Sequence, residues 1–137
     1  MKKRILSILL LCCMVLTLLP TTAFAADELP DVKLSVPTEF DKTVDLTKQK
    51  GELKITDSKT YLIKGSEDPN WYFQYRIKID VKNNTPHIFL DGVRIKAPKD
   101  GPAIELYNGA SACLYFIGKD SELIGAENFA ALQKNKT

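Results

Sequence analysis

Few side chains in this 137-residue chain are of types that do chemistry near neutral pH. His87, the single histidine, has no cysteine or histidine partner at metal-ligand spacing, which argues against a zinc site. Cys113 has Tyr115 close by rather than a base, so nothing marks it as a nucleophile. Asp80, Asp91 and Asp100, with Arg94 nearby, are the residue types that elimination from a sugar acid requires: clustered carboxylates for Ca²⁺ and a group to take the proton. They are spread over loops and strand ends, and Asp91 stands in an Asp-Gly turn, so solvated turn residues account for them. Glu105 and Glu122 add carboxylates for hydrolysis by a pair, but no spacing selects one. No Gly-rich phosphate loop is present. The expectation is a chain without a catalytic set and without a required cofactor, Ca²⁺ staying open.

The aromatic residues are more telling. In HIFLDG, Ile88 and Leu90 point inward by alternation and Phe89 outward; in CLYFIG, Leu114 and Phe116 point inward and Tyr115 outward, in register with Phe89. Tyr107 projects outward from the strand between them, and Trp71 lies in a loop beside Tyr72 and Tyr75. Flat outward rings suit sugars, whose C–H faces are apolar and whose hydroxyls ring the rim. Phe89, Tyr107, Tyr115 and Trp71 are therefore the candidate carbohydrate-binding residues. Two other uses stay open: aromatic rows stabilise a sheet or seat another segment, and Trp71 in such a loop serves equally as a cap over the end of a stack of coils.

These strands need a scaffold, and a near-repeat supplies one. HIFLDG returns as CLYFIG with a step of 26 positions, aligning Ile88 with Leu114, Leu90 with Phe116 and Gly92 with Gly118. Ile104 in PAIELYNGA finds a weaker echo in Leu132, two positions beyond that step. Short alternating strands and Gly/Asn/Asp turns at such a period predict a solenoid whose coils stack into apolar ladders. A β-sandwich, the competing architecture, gives no reason for the echo. The fold class is thus all-β, a parallel β-helix.

The chain divides into three parts. Residues 1–25 read as a secretory signal: Lys2, Lys3 and Arg4, an apolar run from Ile5 to Leu19, then Ala23-Phe24-Ala25 as a small-x-small cleavage site. The run is short of the roughly 20 residues a membrane span needs. Residues 26–50 are a polar segment in which Leu34, Val36 and Phe40, then Val44 and Leu46, suit leading strands. Residues 51–137 are the β-helix domain, opening on a strand pair, ELKIT and TYLIK around Asp57-Ser58, as a cap-like hairpin or a first irregular coil. YFQYRIKIDV reads as one long strand from Tyr72 to Val81.

Three of the 19 basic residues lie in the leader, so against 17 acidic ones the remainder is close to neutral and carries no basic stripe for nucleic acid. Only Cys113 lies beyond the leader, so internal disulfides are not expected. The chain stops at Thr137 inside what reads as another coil, with Glu127 to Lys134 also readable as a helix plugging the end. The domain is therefore expected to be partial at its C-terminus, either the first part of a longer protein or a module docking a partner at its open coil.

The order ELKITDSKTYLIKGS, RIKIDV, HIFLDGVRI, PAIELYNGASACLYFIGKDSELIG and NFAALQ resembles the first coils of the secreted bacterial carbohydrate-binding domain-containing β-helix proteins. There, a run like TITLDGVTI is followed by one like PAIxVxNGASVTLTLxGxNTLxG. The resemblance covers about Gly51 to Gln133, with aromatics here where threonines are usual. It implies a right-handed parallel β-helix of the pectate-lyase-like type, an extracellular or cell-surface setting, and polysaccharide or surface-glycan binding, adhesin-like and without turnover. The alternative is the N-terminal fragment of a polysaccharide lyase or hydrolase.

Overall fold

Short strands separated by polar corners follow one another around a common core, and every strand pairs with one a full turn away rather than with its neighbour in sequence. The computed structural model describes residues 35–118 and 120–135; the leader, Leu34 and the last two residues lie outside the described residues. From Pro37 onward the chain is one compact unit. Its strands are β1 (Lys42–Asp45), β2 (Leu53–Ile55), β3 (Thr60–Lys64), β4 (Ile77–Ile79), β5 (His87–Asp91), β6 (Arg94–Lys96), β7 (Ile104–Leu106), β8 (Cys113–Ile117), β9 (Glu122–Ile124) and β10 (Leu132–Lys134). A 3-10 turn, Leu46–Lys48, follows β1.

Three parallel sheets result. Sheet A has the order β1-β3-β5-β8, sheet B β10-β7-β4-β2, and sheet C β6-β9, extended by a bridge from Phe73 to Ile95. The chain visits them in the order A, C, B, and about three such turns make a parallel β-helix. The fold class is the one the near-repeat predicts. Leu90 pairs with Phe116 and Ile88 with Leu114, in the register of the 26-residue step. Ile104 pairs with Leu132, so the weak echo is a true rung.

Alternation decides what each rung buries. Ile63 and Leu90 on sheet A, Ile55, Ile79 and Ile104 on sheet B, and Ile95 on sheet C are fully buried and form one core with Phe73 and Val93. β-Branched residues dominate, as suits a pleated surface with both neighbours in register. Three-residue strands survive because each corner also bonds rung to rung. The Ile77 N–H donates to the Ala103 carbonyl at 2.9 Å, and the Ile104 N–H to that of Ala131 at 3.0 Å.

At the corner between sheets A and C the rungs come closest. The Gly65 N–H donates to the Asp91 carbonyl at 2.9 Å, and a Cβ on Gly65 would overlap the backbone carbonyl of Gly92. Gly92 and Gly118 turn this corner with φ of 57° and 73°, the left-handed region that glycine enters without steric cost.

Three readings of the sequence change. The ELKIT and TYLIK strands do not form a hairpin: β2 pairs with β4 in sheet B, and β3 lies between β1 and β5 in sheet A. Asp57-Ser58 is a solenoid corner, and the pair forms part of a first coil. The end is closed instead from the 26–50 segment, where β1 adds to sheet A and Leu46 enters the core fully buried. YFQYRIKIDV is not one strand, since Phe73 belongs to sheet C and Ile77–Ile79 to sheet B. The helical reading of Glu127 to Lys134 also gives way, because Leu132–Lys134 is a strand of sheet B.

Candidate functional site: the outer face of sheet A

Between the inward rows of sheet A, the outward residues form three rows across the strands. One is Thr60, His87, Cys113; the middle one is Thr43, Leu62, Phe89, Tyr115; the third is Asp45, Lys64, Asp91, Ile117. The middle row is an apolar strip on the outside of the solenoid. Parallel strands in register set Phe89 under Tyr115, and the two rings stack at 4.4 Å with an interplanar angle of 16°. His87 lies nearly parallel to Tyr115, ring centres 5.8 Å apart, and its Nδ1 shares a 2.9 Å hydrogen bond with the tyrosine hydroxyl. Burial pushes the Tyr115 phenol above its usual pKa, and the neighbouring Cys113 thiol adds to the rise.

Phe89 is outward by register, as read from the sequence, but it is only 4% exposed. Phe40 covers it edge-on, ring centres 5.3 Å apart at 69°. A sugar therefore does not reach the face of Phe89; the half-buried Tyr115, the exposed His87 and the half-buried Leu62 and Phe40 present the patch, with Phe89 as its floor. Phe40, grouped in the sequence with Leu34 and Val36 as a leading strand, lies in no strand and serves instead as the cover of Phe89.

Beside the strip, at the corner between sheets A and C, is a polar cleft of about 340 Å³ lined by Lys64, Glu67, Asp91, Arg94 and Asp120 among others. Arg94 is held on its floor, donating to the Asp68 carbonyl at 3.1 Å and lying 3.8 Å from Asp120. The arrangement thus joins flat apolar rings to a rim of donors and acceptors. That is the chemistry of a site for a ligand with both C–H faces and hydroxyls.

The remaining candidates lie elsewhere. Tyr107 belongs to the side of sheet B, where the Lys78 ammonium sits 3.5 Å from its ring centre and occupies one face. Trp71 is half-buried and packs against the core, nearer to the capping use than to a free platform. Of the four aromatic residues singled out, only Phe89 and Tyr115 come together.

Of the carboxylates singled out, Asp80, Asp100, Glu105 and Glu122 each have a polar or basic partner, and Arg76 serves more than one of them. Asp80 accepts from Asn108 at 3.2 Å and Glu122 from the Tyr72 hydroxyl at 2.6 Å, a bond that raises the Tyr72 pKa. Arg76 lies 3.3 Å from both Glu52 and Asp100, and 3.5 Å from Glu105. Glu105, outward on sheet B and 7% exposed, also accepts from the Asn135 side-chain amide. A buried carboxylate needs such partners to stay charged. Among the described residues, no three His, Cys, Asp or Glu converge as metal ligands, and no helix is long and apolar enough to cross a membrane. No family model matches the chain, and neither the curated proteins nor the solved structures include a match.

Proposed function

We propose that the chain is a secreted or cell-surface β-helix module that binds polysaccharide or surface glycan without turning it over, adhesin-like in use. In this reading it belongs with the carbohydrate-binding β-helix proteins its sequence resembles. The observation that carries it is the ring row on the outer face of sheet A, with Tyr115 and His87 presented over Phe89 and the polar cleft at Lys64 and Asp91 alongside. A pyranose lays its C–H face on Tyr115, and neighbouring hydroxyls reach the rim. Nothing in that binding requires a base or a metal.

Retention on insoluble polysaccharides and on a glycan array tests the reading. Tyr115→Ala combined with His87→Ala removes the presented rings and is expected to lower retention at least about tenfold, the loss of roughly 1.4 kcal/mol, with the circular dichroism of the fold unchanged. Equal retention of wild type and this variant on every ligand bound, or no binding to any glycan, overturns the site. Unsaturated or reducing sugar ends appearing in the incubation would make the chain a lyase or hydrolase instead.

A further inference from the structure

The loop between β3 and Phe73 carries the one Asp-Pro step in the sequence, Asp68-Pro69. Two donors meet on the carbonyl oxygen of that peptide bond. The Arg94 Nη1 donates to it at 3.1 Å, from a side chain that is only 11% exposed, and the Trp71 N–H donates to it at 3.1 Å. The aspartate itself is held in place: its carboxylate accepts from the Asn70 N–H at 2.9 Å, and its own N–H donates to the Ser66 hydroxyl at 3.1 Å. Glu67 to Asn70 are exposed, so water and acid reach the bond. Asp and Pro suit the first two places of a turn, and the Trp71 bond closes it. The turn needs no arginine for that. Arg94 brings a positive charge to an oxygen that becomes an anion only when its carbonyl carbon is attacked.

We propose that this turn is a self-cleavage site, at which the Asp68 carboxylate cuts its own peptide bond to Pro69 in mildly acidic solution. A carboxylate oxygen attacks the Asp68 carbonyl carbon and closes a five-membered ring, an attack within one residue that needs no encounter. The carbonyl electron pair moves onto the oxygen held by Arg94 and Trp71. As that pair returns, the bond to Pro69 breaks, and the proline nitrogen, a tertiary amide nitrogen that accepts a proton more readily than an ordinary peptide nitrogen, leaves with a proton from the acidic solvent. Water then opens the cyclic anhydride and leaves Asp68 with its side-chain carboxylate and a new terminal one. The sum is one peptide bond and one water consumed, with no metal or oxidant.

The cut leaves β1, β2, β3 and the plug Leu46 in one piece and the later strands in the other. Across it, β3 pairs with β5 and β2 with β4, and the Gly65 N–H still reaches the Asp91 carbonyl. The nicked chain therefore stays one particle in native solution and comes apart under denaturing conditions. Nothing in this step depends on the glycan reading, and Asp68 and Arg94 lie outside the Tyr115–His87 pair.

Denaturing mass spectrometry of the purified chain, held folded in mildly acidic solution, is expected to find a piece ending at Asp68 and a piece starting at Pro69. They should form at least about tenfold faster than from a synthetic peptide of residues 66–72, which has the same bond without the arginine, since one donor to a developing oxyanion is worth about that much or more. Arg94→Gln is expected to lower the rate to that of the peptide, and Asp68→Ala to abolish cleavage. In heavy-oxygen water the label should enter both carboxyls of Asp68, because water opens the anhydride at either carbonyl. A folded chain that cleaves no faster than the peptide, a folded Arg94→Gln variant that cleaves like wild type, pieces from Asp68→Ala, or label confined to the terminal carboxyl each overturns the proposal; the peptide comparison decides it even where Arg94→Gln fails to fold.

Discussion

Asp57 illustrates how much one corner residue coordinates. Its carboxylate accepts from the Lys42 ammonium at 2.6 Å and from the Tyr61 hydroxyl at 2.8 Å, tying β1 to the β2–β3 corner. The Lys42 bond, then that from Tyr61, holds the Asp57 pKa at about 2, below the ordinary 3.8. A depressed folded-state value contributes stability that is complete above the unfolded value and is lost as pH falls from there through about 2. The pair is solvent-exposed, so salt screens it and its contribution is modest. Asp57→Asn is therefore expected to show a shallower fall in melting temperature between pH 4 and pH 2 than wild type at low salt; identical pH profiles would refute the role assigned to the corner. Phe40 shows the opposite case, a residue that reads from the sequence as part of a leading strand and acts instead as a lid on an aromatic ring. It covers Phe89 from a segment without periodicity, so the buried floor of the aromatic patch was not legible from alternation alone.

At the scale of elements, glycine positions separate two kinds of constraint. Gly65 meets the Gly92 backbone across a rung, whereas Gly109, at φ 74°, faces open space. Gly109→Ala strains only its own dihedral and should cost about 1 kcal/mol. Gly65→Ala must push two hydrogen-bonded rungs apart and should cost about 3 kcal/mol or more. Denaturant unfolding of the two variants checks the order, and an equal cost would mean the corner is slack. The same corners explain what the sequence conceals. The stacking of Leu90 on Phe116 was legible because inward residues repeat with a fixed step. Asp57-Ser58 reads equally well as a hairpin turn, because a corner and a hairpin use the same turn residues and differ only in long-range partners. Alternation likewise runs unbroken from Tyr72 to Val81 although the chain changes sheets within it, since side chains keep pointing in and out around a bend.

For the molecule as a whole, Leu46 closes one end of the core that the inward rows of the three sheets share. Leu46→Ala opens that end and is expected to cost about 2–5 kcal/mol, the range for a buried leucine; a loss below about 1 kcal/mol in denaturant unfolding would place the closure elsewhere. Because every ladder contact spans one turn and no more, the pairings never join the first rung directly to the last. No turn can bury its apolar row alone, so each is held in place by the turns on either side of it, and a break in any one turn removes the support of its neighbours in both directions.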